Sequence, residues 1–143
     1  YYMKILLDEA VEIVKSLSEV HLNYLSLIFL CKQTKMNGIN SIESLKEHCE
    51  YICAKMPVTN GIESSIPFLH MLRLLTISLG SAAEVYSKQY NLDIDKVKEI
   101  LPLAMNGIPG DYSLTPVGII IAIINIRNKT NLNLDFKIWI KSI

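Results

Sequence analysis

The sequence predicts a mainly α protein: a compact bundle of about six helices with a short two-stranded β element near the C-terminus. Three observations predict it. Apolar residues recur at helical spacing through most of the chain, Ser, Asn, Thr, Gly and Pro fall where helices are capped or ended, and period-two alternation is confined to the stretch from Phe136 to Ile140. The composition agrees: of 143 residues half are hydrophobic, and 14 Lys plus Arg balance 14 Asp plus Glu. A disordered tail needs the opposite, low hydrophobicity with high net charge. A chain of this length buries roughly two-thirds of its unfolded surface, so one helical domain over 1–143 needs no disulfide or metal to fold.

The elements follow in order. Ile5, Leu6, Leu7, Ala10, Val11, Ile13 and Val14 form an apolar stripe, with Asp8, Glu9, Glu12 and Lys15 between them. They predict a first helix with one wet face. Ser18 is a good N-cap for a second helix from about Glu19 to Gln33, and the run from Leu25 to Cys31, apolar except for Ser26, predicts burial on more than one side. Asn37-Gly38 ends that segment. Asn40 with Glu43 has capping-box spacing and introduces a third helix, 41–55, with Ile42, Leu45, Cys49, Ile52 and Cys53 as its apolar stripe.

Pro57, Asn60 and Gly61 mark a loop from Met56 to Ser65. A fourth helix is expected from Ser65, with Pro67 in its first turn, through Leu69, Leu72, Leu75 and Leu79, and helical composition continues from Ser81 to Gln89. Asp93 or Asp95 caps a fifth helix through Leu103, in which Pro102 is an awkward guest. Asn106 to Asp111 is a turn-rich loop, and Tyr112 to Thr115 reads as an extended piece. Thr115 then caps, and Pro116 starts, a helix to about Asn128. Phe136, Ile138 and Ile140 alternate with Lys137, Trp139 and Lys141, and predict a strand that pairs with Tyr112 to Thr115.

Several function classes lose their footing. The zero charge balance and the presence of only two arginines, Arg73 and Arg127, disfavour a module that neutralises many phosphates. Val117 to Ile124 is too short to span a bilayer, and Ile66 to Ala83 is broken by His70 and Arg73, so no membrane span is expected. An odd count of three cysteines fits a reduced cytoplasmic setting. Tyr1-Tyr2-Met3-Lys4 has neither an initiator Met nor the order of a signal peptide, so the chain reads as the C-terminal fragment of a longer protein.

The candidate chemistry is sparse. His48, Cys49 and Cys53 gather weak metal-ligand types on one helix, since residues four apart face the same way. A structural zinc site wants four ligands, usually as two close pairs, and the second pair would have to come from Cys31, His21 or His70 on other helices. Core packing of the two stripe cysteines is the competing explanation. No motif places a nucleophile beside a base with an oxyanion donor pair, and no glycine pattern would cradle a phosphate. No catalytic residue or cofactor is therefore expected. The most patterned segment is Leu114-Thr115-Pro116-Val117-Gly118, a joint that brings in an extended strand and starts a helix. Winged-helix domains use a similar joint, and Arg127, Lys129, Lys137 and Lys141 would supply the basic strip of that nucleic-acid reading.

Two segments carry a resemblance. The stretch from Leu17 to Leu30, LSEVHLNYLSLIFL, and the stretch from Leu114-Thr115-Pro116-Val117-Gly118 to Trp139-Ile140 resemble the C-terminal part of an uncharacterised family of bacterial proteins. That resemblance implies no activity and transfers no catalytic residue. The same Leu-Thr-Pro-x-Gly joint also resembles the abortive-infection alpha type of phage-defence proteins. The reading that joins these observations is a non-enzymatic helical interaction or oligomerisation domain, with a protein partner or self-association expected. The alternatives are a winged-helix-like nucleic-acid module and a metal-binding or enzymatic domain using His48, Cys49 and Cys53.

Overall fold

Side-chain caps set most helix starts. The computed structural model describes residues 2–59, 61–78, 80–106 and 112–134. α1 spans Tyr2–Val14. Ser18 caps α2, Glu19–Lys32: its hydroxyl accepts from the His21 amide at 3.3 Å, and its own amide donates to His21 Nδ1 at 3.1 Å. α3, Ile42–Lys55, starts one residue later than the Asn40/Glu43 spacing implies. Ser41 and Ser44 form the reciprocal pair instead, the Ser44 amide donating to Ser41 Oγ at 3.2 Å and the Ser41 amide to Ser44 Oγ at 3.0 Å. Asn40 donates its amide to the same Ser44 hydroxyl at 3.0 Å, so it leads into the cap and does not form it. A 3₁₀ turn, Ile62–Ser65, lies within the expected loop.

The largest departure from the sequence reading follows. α4 covers only Ile66–Met71, where a helix through Leu79 was expected. Arg73 takes a left-handed φ of 59°, and the Leu74 amide reaches back to the Leu69 carbonyl at 3.1 Å, which closes the helix. Leu75–Ile77 then forms β1, antiparallel to β2, Tyr112–Leu114, with Leu75 opposite Leu114 and Ile77 opposite Tyr112. Tyr112 to Leu114 is thus extended as expected but is paired with β1; the strand expected over Phe136 to Ile140 lies outside the described residues. Leucines at 69, 72 and 75 share a helical spacing, and so short a strand has no local signature to compete with it. Contacts remote in sequence decide the matter. The Thr115 amide donates to the Leu74 carbonyl at 3.0 Å, and its hydroxyl to the Arg73 carbonyl at 2.7 Å.

α5, Ala82–Tyr90, is capped by Ser81, and α6, Ile94–Ile100, by Asp93. α6 stops before Pro102, whose ring bars a continuous helix, and α7, Leu103–Asn106, is a separate turn. α8, Pro116–Lys129, begins as the Thr115-Pro116 pair implies, with Thr115 Oγ1 accepting from the Gly118 amide at 3.3 Å. A Cβ on Gly118 would lie 2.6 Å from the Leu74 carbonyl oxygen, so glycine is what lets α8 start against the β1 edge. The fold is mainly α with a small antiparallel sheet.

The core is built on α2 and α8. Every residue from Asn23 to Cys31 is buried, as are Val117 to Ile123 on α8. Each such Leu, Ile or Phe contributes about 1.5–3 kcal/mol by leaving water. Gln33, at the end of α2, clamps β2 from the side opposite β1: it accepts from the Leu114 amide at 2.6 Å and donates to the Leu114 carbonyl at 3.2 Å. α1 packs on the other flank of α8.

Candidate functional site

The α1 stripe does not close over the core. Leu6 and Ala10 are buried, but Val11 is 60% exposed and Val14 39%, while on α8 Ile124 is 41% exposed. Between the two helices runs a groove of about 340 Å³. Leu7, Ala10, Val11 and Val14 form one wall and Ile121, Ile124, Asn125 and Asn128 the other, with Leu22 of α2 at the junction. Elsewhere on α1, a wider cleft is lined by Asp8, Glu9 and Glu12 together with Arg73 of the turn after α4, over a floor of Ile13, Leu72 and Val117. That flank carries the wet face expected of α1; the groove is an apolar face that no described residue covers.

A buried polar cluster backs the groove. Asn23 and Ser26 of α2 and Asn125 of α8 are buried within otherwise apolar helices. Burial of amides is costly unless they are paired, so the pairing fixes every orientation. The Pro57 carbonyl can only accept, which turns Asn23 Nδ2 toward it at 2.9 Å. Asn23 Oδ1 therefore faces the other way and accepts from Lys129 Nζ at 2.7 Å and from Asn125 Nδ2 at 3.2 Å. Ser26 Oγ gives its hydrogen to the Leu22 carbonyl at 2.8 Å and accepts from Asn125 Nδ2 at 2.8 Å. Lys129 also bridges to Glu19 at 2.8 Å, and that hydrogen bond and charge hold the Glu19 carboxyl below its usual range. The chain of contacts locks the register of α8 on α2 beside the groove. Sequence reasoning passed over these residues, although an Asn between Ile124 and Ile126, and a Ser within Leu25 to Cys31, were signals that a polar contact crosses the core.

The sequence-nominated residues fall elsewhere. Cys49 is fully buried and Cys53 partly so, and burial pushes their thiols up to about 12 and about 11. Cys31 lies deeper, with its thiol raised further by the same desolvation. Metal ligation and nucleophilic attack both use the thiolate, which these surroundings oppose. His48 Nε2 is buried without a partner among the described residues, and desolvation lowers its pKa. Among the described residues no three His, Cys, Asp or Glu side chains are grouped to hold a metal ion. His21 does meet a hydroxyl, its Nε2 lying 3.2 Å from Ser65 Oγ. Its Nδ1 already accepts from the Ser18 amide, so the neutral ring carries its proton on Nε2 and donates to Ser65. That wiring is the reverse of a base activating a serine. His70 stacks edge-on against Tyr112 at 4.7 Å.

Of the four cations in the nucleic-acid reading, Lys129 is spent on Glu19 and Asn23, Arg127 is exposed on α8, and Lys137 and Lys141 lie outside the described residues. Among the described residues, no helix is long and apolar enough to cross a membrane. A model of an uncharacterised protein family matches residues 1–108 and 105–140. The chain belongs to that family. The match does not extend to the abortive-infection alpha type. No curated protein and no solved structure matches the chain. Membership therefore brings no activity to this family's chain, and function has to be argued from the groove and the residues around it.

Proposed function

We propose that the chain is a non-enzymatic helical interaction module of a bacterial cytoplasmic protein, docking an apolar surface of a partner along the groove between α1 and α8. One observation carries this reading: Val11, Val14 and Ile124 stand exposed around an apolar groove of about 340 Å³ while the rest of the apolar surface of α8 is buried. Contiguous apolar surface held open to water lowers solubility without stabilising the fold, and it marks interaction sites for that reason. Catalysis has less support, because the His21 ring donates to the Ser65 hydroxyl, the wrong direction for a base, and burial holds Cys49 and Cys53 as thiols.

Affinity capture from native extract with quantitative mass spectrometry tests the reading. Val11→Lys puts a charge on the rim of the groove, and Lys46→Glu changes a remote, exposed site on α3. At least one protein, or the chain itself, should be captured by the wild type and by Lys46→Glu and be lost by Val11→Lys. A capture profile unchanged by Val11→Lys would contradict docking at this groove.

A further inference from the structure

We infer that the occupant of the α1–α8 groove is a partner helix whose apolar ridge carries one uncharged hydrogen-bond donor, seated against the side-chain oxygen of Asn125. This deepens the docking reading and rests on it. Asn125 is only 6% exposed and lines the groove. Both hydrogens of its Nδ2 are committed, to Asn23 Oδ1 and to Ser26 Oγ. The amide cannot be turned over, because Asn23 Oδ1 would then face a second oxygen, and Asn23 is itself fixed by the Pro57 carbonyl. With both amide hydrogens spent on α2, Oδ1 is the acceptor this groove-lining residue has left to offer, and it has no hydrogen-bond partner among the described residues.

Water serves that oxygen while the groove is open. A partner that covers the groove removes the water, and a buried acceptor left unmade is costly. Leucine at that place would leave it unmade, a carboxylate would set acceptor against acceptor, and a lysine would bury a charge in apolar surroundings. Ser, Thr, Asn, Gln or Trp satisfies it. The dimensions favour a helix. From Leu7 to Val14 and from Ile121 to Asn128 each wall is about 10 Å long, two helical turns, which matches a ridge of residues at i, i+3 or i+4, and i+7. A small molecule seated in the groove would leave the exposed rims at Val11 and Ile124 in water, whereas a helix laid along it covers them.

The probe is a displayed library of helical peptides randomised along one face and selected against the 143-residue chain. Enriched peptides should show the apolar ridge with Ser, Thr, Asn, Gln or Trp at one inward position. Replacing that donor by Leu or by Glu should weaken binding about tenfold, and Val11→Lys should abolish it. In Asn125→Leu the order should invert, with the Leu peptide the tighter; the peptide-side replacements decide the matter if that variant does not fold. Peptides that bind through the groove equally well with Leu in place of the donor overturn this inference and leave docking intact. No enrichment, or peptides indifferent to Val11→Lys, overturns both. A dimer that dissociates in Val11→Lys and excludes the peptides also overturns the inference, since the occupant would then be a second copy.

Discussion

Two helices flank α8, and they differ in how much they bury. α2 is buried without interruption from Asn23 to Cys31, whereas α1 buries Leu6 and Ala10 and leaves Val11 60% exposed. They are similar in length, 13 residues against 14, and both are rich in Leu, Ile and Val. Apolar content therefore does not separate a core helix from a helix with an exposed apolar face here. What separates them is how many described elements meet each face: α2 meets α8, α5 and β2, while among the described elements α1 has α8 alone as its main neighbour. The polar cluster falls on the completed side, where Asn23, Ser26, Asn125 and Lys129 tie α8 to α2 and fix the position from which the groove opens.

Substitutions on the two flanks of α8 should diverge. Leu27→Ala, at a fully buried α2 position, should cost about 2–5 kcal/mol in denaturant unfolding. Gly118→Ala forces a methyl group against the Leu74 carbonyl, and should cost about 1–3 kcal/mol in the same measurement. Asn125→Ala removes both hydrogen bonds that Asn125 Nδ2 donates; Asn23 Oδ1 keeps Lys129 but Ser26 Oγ loses its donor, for about 1–3 kcal/mol. Val11→Ala, on the open flank, should stay within about 0.5 kcal/mol of wild type. A cost above 2 kcal/mol for Val11→Ala would break the comparison, because it would mean that the α1 face is already buried in the folded chain.

His48 gives a pH dependence on the closed side of the molecule. Burial lowers its pKa in the folded chain, so the unfolded chain takes up a proton first as pH falls. Stability should be full above about pH 6.5 and decline below it until folded His48 is also protonated. Unfolding curves from about pH 7.5 to about pH 5, on either side of the usual histidine value, should show that decline in the wild type and a smaller one in His48→Gln.

The parts of this fold legible in the sequence are those fixed within a few residues. Ser18, Asp93 and the Thr115-Pro116 pair announce helix starts because the cap and the amide it serves are neighbours. Leu25 to Cys31 announces all-round burial because no face of it is polar. β1 was hidden, since its leucines continue a helical spacing and the contacts that extend it come from Thr115 and Leu114. The groove was hidden for a related reason. Val11 and Val14 read as core positions of an amphipathic stripe, and only the placement of α1 on α8 leaves them in water. Asn125 stood in plain view as a polar interruption, but its partners on α2 lie far away in sequence.

Amide hydrogen exchange, read along α1 and α8 with and without the partner that Val11→Lys loses, addresses the central claim most directly. An open groove predicts that α1 amides exchange well before those of α2 in the free chain, and that the partner slows exchange over 7–14 and 121–128 while α2 stays as it was. Protection of α1 equal to that of α2 in the free chain, or slowing on binding confined to other elements, would contradict it.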